Sequence, residues 1–142
     1  MIGDSGRIRA AGEAAPQFAG LPITFGKIET PDFGPARRSS NLTGAGFDIV
    51  LGGHDGDTID VGEGDNIVLG DDGEVTYTGV DFGCSEAGDD TDASDIDEIV
   101  STSTTAAGGV DGITSGSGQD IIIGGRYGDT VNASDGDNLV IG

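Results

Sequence analysis

Aliphatic residues recur every nine positions in two stretches of this chain, residues 43–69 and 115–141. Each nine-residue unit begins with small residues, has Asp or Asn at its sixth place and has an aliphatic residue at its eighth. This alternation predicts a tight polar turn followed by a strand of about three residues. No segment has a convincing helical period, so the pattern predicts an all-β fold. The eighth places, expected to fill the interior, are Val50, Ile59, Val68, Ile122, Val131 and Val140.

The seventh and ninth places distinguish alternate units. They are polar in the middle unit of each block, as at Thr58 and Asp60, and aliphatic in the outer units. Side chains alternate between the two faces of a strand, so the middle-unit strands should be polar on their outward face and the outer-unit strands apolar on both faces. Either the inserts of this chain cover that outer apolar face, or another chain or repeat packs against it. The outward aliphatic residues are Ile49, Leu51, Ile67, Leu69, Ile121, Ile123, Leu139 and Ile141.

This pattern resembles the RTX nonapeptide of secreted bacterial proteins, G-G-x-G-x-D-x-U-x, in which U is a large aliphatic residue. Two units depart from it with Asp55 and Tyr127 at the fourth place, and two others have Asn66 and Asn138 at the sixth. The resemblance implies a parallel β-roll, a form of β-solenoid, in which two units make one turn of the coil. It also implies several Ca²⁺ ions per chain, each lying between turns stacked on the same side.

Turns that expose backbone carbonyl groups next to carboxylates suit Ca²⁺, which takes six to eight oxygen ligands in loose geometry. On the β-roll model, the turn ending at Asp48 shares an ion with the turn ending at Asn66, and the turn ending at Asp57 shares one with residues 70–73. The turn ending at Asp120 shares one with the turn before Leu139. The alternative is that these side chains only form Asx turns. The expected ligands are Asp4, Asp48, Asp57, Asp65, Asn66, Asp71, Asp72, Asp111, Asp120, Asp129, Asp135, Asp137 and Asn138.

The chain also divides into two long repeats, residues 3–69 and 70–141. Each combines an irregular β or loop insert, residues 10–42 or 74–114, with a block of nonapeptides, residues 43–69 or 115–141. Alternating runs predict strands within the inserts at residues 23–30, 75–78 and 98–102. Residues 109–114 resemble one more degenerate unit. Residues 1–3 match residues 140–142, which favours a slice of a longer tandem array.

Acidic residues dominate the composition, with 26 Asp and Glu against 6 Lys and Arg and a formal net charge of -20. This charge argues against nucleic acid or anionic membranes as partners. No apolar run is long enough to span a membrane. Self-repulsion predicts that order depends on bound cations. His54 is expected to be a surface residue and Cys84 a free thiol. No set of catalytic residues is evident, so no enzymatic activity is predicted.

These features together predict a calcium-binding structural module of a large secreted or cell-surface bacterial protein. It would be part of an adhesin, a stalk or an extracellular fibre, and it would fold on binding Ca²⁺ and join further copies end to end. The alternative is the C-terminal calcium-binding region of a type I-secreted toxin or enzyme whose catalytic domain lies elsewhere. A surface that binds ice or mineral would need regular outward threonine ladders, and Thr58 with Thr130 is too little for one.

Overall fold

The computed structural model of the chain describes residues 1–3, 6–10, 25–31, 38–77, 96–104 and 106–142. Asp4 and Cys84 lie outside these residues. The described part is all-β, as the pattern predicts, and contains no helix that could cross a membrane. Its strands are β1 (Arg7–Ala10), β2 (Phe25–Glu29), β3 (Ser40–Leu42), β4 (Ile49–Leu51), β5 (Thr58–Asp60), β6 (Ile67–Leu69), β7 (Gly73–Thr76), β8 (Glu98–Ser101), β9 (Gly112–Ser115), β10 (Ile121–Ile123), β11 (Thr130–Ala133) and β12 (Leu139–Ile141).

Two parallel sheets contain the strands of the nonapeptide blocks. The first parallel sheet has the order β12-β10-β6-β4, and the second has the order β11-β9-β5-β3. Consecutive units therefore alternate between the sheets, and alternate units are neighbours in one sheet. Ile67 pairs with Ile49 on one side and with Ile121 on the other, all in the same register. The second insert separates β6 from β10 in sequence, yet the two strands pair in the register that the repeat predicts.

The eighth places form the core, as predicted. Val50, Ile59, Val68 and Ile122 are buried and pack together with Val61 and Ile113. Within β3 the corresponding place is occupied by Asn41, which is buried and donates its amide to Ser39 Oγ at 3.1 Å. At the opposite edge, Val140 of β12 is 46% exposed because no described strand follows it.

The outward face of the first parallel sheet is covered unevenly. Leu51 and Leu69 are fully buried, so residues of this same chain cover that face at β4 and β6. Leu139 and Ile141 of β12 are 54% and 49% exposed. The outward face is therefore buried at β4 and β6, towards one end of the sheet. At the other end the face remains open.

The inserts supply an antiparallel sheet with the order β1-β2-β7-β8. Strands β1 and β2 come from the first long repeat, with β1 beginning before the predicted insert, whereas β7 and β8 come from the second, and β2 pairs antiparallel with β7. Ion pairs link this sheet: Lys27 Nζ lies 3.0 Å from Glu29 Oε2, and Arg7 lies 3.3 Å from the same carboxylate. Strands of the two inserts thus pair within one sheet.

The distribution of contacts divides the chain into two compact units. One contains Met1–Gly6, Thr30–Gly73 and Ser101–Gly142, and the other contains Arg7–Glu29 and Glu74–Val100. The first unit therefore draws on both long repeats. The predicted strands at 23–30, 75–78 and 98–102 correspond to β2, β7 and β8, whereas β1 was not predicted. Strands β3 and β9, which fall within the predicted insert limits, lie in the second parallel sheet.

Candidate metal site

The turns between the two parallel sheets stack in two series. Turns of the first series lead into the first parallel sheet and comprise residues 43–48, 61–66, 115–120 and 133–138. Turns of the second series comprise residues 52–57, 109–111 and 124–129, which lead into the second parallel sheet, together with residues 70–73, which lead into β7. Backbone hydrogen bonds join neighbours in each series, such as Gly118 N to Asp135 O at 3.1 Å and Gly53 N to Gly70 O at 3.2 Å.

The fourth place of each complete turn has a positive φ, which explains both the repeated Gly and its two replacements. Gly64 and Gly118 have φ values of 116° and 143° in the first series. In the second series Asp55 and Tyr127 have φ values of 67° and 77°. Asp enters this left-handed region more readily than most residues, whereas Tyr is strained there. The complete turns of the second series therefore differ from those of the first in the φ value of the fourth place.

Side chains at the sixth places form a hydrogen-bonded ladder through the first series, which we call the mixed ladder. In it, the backbone N–H of each sixth-place residue donates to the side-chain Oδ1 of the next. Asp48 N lies 3.1 Å from Asn66 Oδ1, and Asn66 N lies 3.0 Å from Asp120 Oδ1. Asp120 N lies 3.0 Å from Asn138 Oδ1. One oxygen of every sixth-place side chain after the first thus holds adjacent turns together.

The second series has an equivalent ladder built from Asp57, Asp111 and Asp129, which we call the aspartate ladder. Ser39, at the sixth place of the first strand in this sheet, donates its N–H to Asp57 Oδ1 at 2.6 Å. Asp57 N donates to Asp111 Oδ1 at 2.7 Å, and Asp111 N donates to Asp129 Oδ1 at 3.0 Å. The first of these aspartates is separated from the second by 54 residues, yet the ladder is continuous.

The second oxygen of three ladder carboxylates is buried without a hydrogen-bond donor. Oδ2 of Asp111, Asp120 and Asp129 is inaccessible to solvent, and no donor of the described residues reaches it. Asp111 and Asp120 are each only 1% exposed as whole residues. A buried anionic oxygen without a donor is costly, since nothing replaces the water that it has lost. These oxygens need either a proton or a cation.

Asparagine at the same place shows how the ladder satisfies itself without an ion. Asn66 accepts at Oδ1 like its neighbours, but its Nδ2 donates to Gly64 O at 2.7 Å within the same turn. That amide therefore takes up a turn carbonyl that would otherwise be available to a cation. Asn138 Nδ2 donates similarly to Ser134 O at 3.3 Å. Asn66 Nδ2 also donates to Asp120 Oδ1 in the adjacent turn at 3.1 Å. An Asn at the sixth place therefore supplies donors to its surroundings, whereas an ionised Asp supplies only acceptors.

Asp111 is the clearest example of this arrangement. Its pKa is raised to about 7, chiefly by burial and also by the neighbouring carboxylates of Asp71, Asp129 and Asp57, while the hydrogen bond from Asp57 N opposes the shift. A Cβ atom at Gly70 would collide with both Asp111 Oδ2 and the carbonyl oxygen of Gly124. A carboxylate oxygen and a carbonyl oxygen from adjacent turns therefore border one small space, which only Gly leaves open.

Asp71 has a different role from the ladder aspartates, although it is equally buried. Its Oδ1 accepts from Gly109 N at 2.8 Å, and its Oδ2 accepts from Arg126 N at 2.6 Å and from Ser103 Oγ at 2.9 Å. Burial raises its pKa, and these three donors oppose the shift. The carboxylate therefore links Ser103 and Gly109, which lie in the second insert, to the turn at 124–129 through hydrogen bonds.

The remaining predicted ligands are dispersed. Asp65 is exposed, and its Oδ1 accepts from Gln119 N at 2.8 Å. Asp135 and Asp137 are exposed, and Asp48 is half-buried. Asp72 is buried, and its Oδ2 lies 3.9 Å from His54 Nδ1. His54, which is expected at the surface from the sequence, is only partly exposed.

Nowhere in the described ranges do three or more His, Cys, Asp or Glu side chains form a group able to hold a metal ion. Any ion at the ladders would therefore take most of its ligands from backbone carbonyl groups. The stacking of Asp111 on Asp57, and of Asp120 on Asn66, was not anticipated from the sequence. The signal that could have revealed it is the shared phase of the units on either side of the second insert.

Comparison of the chain with protein-family models, with curated proteins and with solved structures finds no match.

Proposed function

We propose that this chain is a calcium-binding structural repeat module of a secreted or cell-surface protein, with its parallel sheets forming a β-roll. The observation that supports the proposal best is the buried Oδ2 of Asp111, Asp120 and Asp129, which has no donor among the described residues. A cation between adjacent turns would compensate these oxygens where the surrounding protein does not.

The residues present suit calcium in particular. Asp57, Asp111 and Asp129 would supply carboxylate oxygens along the aspartate ladder, and Asp120 would do so in the mixed ladder. First-place residues such as Gly124 would supply backbone carbonyl oxygens. Calcium accepts such irregular, all-oxygen surroundings, whereas Mg²⁺ requires near-ideal octahedral geometry and gives up its waters reluctantly. When bound, the ion would neutralise charge and join adjacent turns, and this is its whole chemical contribution.

The net charge of -20 supports an environment in which calcium is plentiful. Self-repulsion of the chain opposes the compact state where divalent cations are scarce, and calcium at extracellular levels would relieve it. Cytoplasmic calcium is too low to occupy sites whose affinity lies in the millimolar range typical of extracellular modules. The resemblance to RTX repeats agrees with export in an unfolded state followed by folding outside the cell. Further copies of the repeat are the proposed macromolecular partners.

The test is circular dichroism of the chain in chelator, followed by titration with CaCl₂ or, in parallel, with MgCl₂. We expect β-structure to appear at millimolar Ca²⁺ and not at equal Mg²⁺, because the carboxylates and turn carbonyls then acquire a common ion. Calorimetry on Asp120→Asn should show fewer bound ions than on Asp60→Asn. Both substitutions remove one charge, but Asp60 is exposed at the end of β5 and outside the ladders. A β-spectrum unchanged by chelator, together with no heat of calcium binding, would contradict the proposal.

A further inference from the structure

The antiparallel sheet has two outer strands, β1 and β8, and each has one neighbouring strand within the described residues. Ile8 in β1 is 58% exposed, and Glu98 in β8 is exposed. Such strand edges are templates for pairing with another chain unless they are blocked. The two edges differ in charge, because β1 contains Arg7 and Arg9, whereas Asp97 and Glu98 begin the β8 edge.

The hydrogen-bonding phase of the two edges also agrees. In the β2·β7 pair, Thr30 N bonds to Gly73 O and Tyr77 N bonds to Gly26 O. Every second residue of β2 therefore bonds to β7, and the backbone N–H and C=O groups of Ile28, which lies midway between these two bonds, face β7. Because neighbouring residues of a strand bond in opposite directions, the backbone groups of Ile8 in β1 face away from β2. At β8, Asp97 N bonds to Thr76 O and Thr102 N bonds to Asp72 O, so this side of the pair has one extra residue between the two bonds, as in a β-bulge. Counted from Thr102, which directly follows β8, the backbone groups of Ile99 face away from β7.

The chain already contains one junction of this kind. Strand β1 begins directly after Gly6, β7 begins at the matching Gly73, and β2 and β8 are the later strands that each long repeat contributes to the antiparallel sheet. The pairing of β2 with β7 is therefore a contact between the later strand of one insert and the earlier strand of the next. Its register places Ile28 opposite Val75 and Lys27 opposite Thr76, and Lys27 also forms an ion pair with Glu74.

We propose that β8 of one copy of this chain pairs antiparallel with β1 of a second copy. By equivalence with the β2·β7 junction, Ile99 lies opposite Ile8 of the second copy, and Glu98 lies opposite its Arg9. Opposite charges across a strand pair favour the contact, and like charges oppose it. The contact joins two different edges, so each copy retains one free edge and the assembly is an open, head-to-tail array. This inference deepens the proposed repeat-module function by assigning the surface through which copies meet.

The test is sedimentation velocity and light scattering of the whole chain at millimolar Ca²⁺ over a series of concentrations. We expect concentration-dependent association of the unmodified chain. Glu98→Arg should weaken it by about tenfold, because it places like charges across the junction. Asp60→Arg, an equal change of charge on a strand of the other unit, should leave association unchanged. Arg9→Glu alone should also weaken association, and an equimolar mixture of Arg9→Glu with Glu98→Arg should restore pairing between the two variants.

A variant at the backbone provides a second test. Ile8→Pro removes an N–H that faces outward and is not used within the sheet, so it should block association while leaving the calcium-dependent circular dichroism of the chain intact. Monomeric behaviour of the unmodified chain at all concentrations would overturn the proposal, as would association that none of the edge variants affects. Calcium binding is measured separately by calorimetry, so failure of the metal proposal and failure of the edge contact give different results.

Discussion

Replacing Asp111 by Asn should affect stability in opposite directions with and without calcium. Without calcium, Asn removes a buried charge and provides an amide that can donate to a turn carbonyl, as Asn66 does to Gly64 O at 2.7 Å. With calcium, the same substitution removes an anionic ligand. The sign of the effect therefore separates a carboxylate that needs an ion from one that merely forms hydrogen bonds within the turn.

The magnitude follows from the pKa of Asp111, which burial raises from 3.8 to about 7. This difference corresponds to at most about 4 kcal/mol, at about 1.36 kcal/mol for each pH unit. Rearrangement and entry of water reduce this figure, and a buried polar oxygen without a donor costs about 1–3 kcal/mol. We therefore expect Asp111→Asn to raise the free energy of unfolding by about 2 kcal/mol in chelator at pH 8.

The pH dependence should have a definite sign. The folded-state pKa of Asp111 lies above its unfolded-state value, so the folded chain binds the proton more tightly. In chelator, the stability of the unmodified chain should therefore fall as the pH rises from about 4 to about 7. In Asp111→Asn that decline should be smaller, because the group that takes up the proton is absent.

The assay is urea unfolding followed by circular dichroism, extended into a stabilising osmolyte if the chelated chain is already unfolded. Asp60→Asn is the matched control, since it removes the same charge from an exposed position. If Asp111→Asn and Asp60→Asn change stability equally in chelator, and both retain the full stabilisation by calcium, then the buried-charge argument is wrong.

Two other substitutions test the ladders and their surroundings. Asn66→Asp should destabilise the calcium-free chain by about 1–3 kcal/mol, because it replaces the amide that bonds to Gly64 O with a second buried acceptor, and urea unfolding in chelator would measure the loss. Equal stability of the two forms would show that the amide bond is not needed. Asp71→Asn should destabilise the chain by about 1–3 kcal/mol both in chelator and in calcium, since an amide cannot accept from Gly109, Arg126 and Ser103 together. A loss confined to calcium-containing buffer would instead indicate that Asp71 binds the ion.

The sequence predicted the periodic part of the fold because one rule applies in every unit. An aliphatic residue at the eighth place, such as Val68, has only one way to be buried when turns precede and follow it. The resemblance to RTX repeats implied parallel neighbours and alternate sheets, and the strand order agrees with both. The inserts have no such phase, so β1 was missed, and the pairing of β2 with β7 depends on contacts distant in sequence.

The residues of the candidate site were predictable from the sequence, but the separate roles of their side-chain oxygens were not. Sequence identifies Asp at the sixth place, yet it does not show that Oδ1 is used by the adjacent turn while Oδ2 is left without a donor. It also does not distinguish Asp71, which three donors satisfy, from Asp111, whose Oδ2 has no donor among the described residues. Both are acidic residues in Gly-rich turns, and only the positions of neighbouring N–H groups separate them.

The continuity of the aspartate ladder across the second insert has a consequence for how the chain reaches this structure. Neighbouring turns within a block are joined by bonds that span 18 residues, whereas the bond from Asp57 N to Asp111 Oδ1 spans 54. Tripling the length of a closed loop costs roughly 1 kcal/mol more conformational entropy. That cost is small for stability, but it favours an order of events in time. Each block can assemble early from its own short closures, and the two blocks should meet only in a later and slower step.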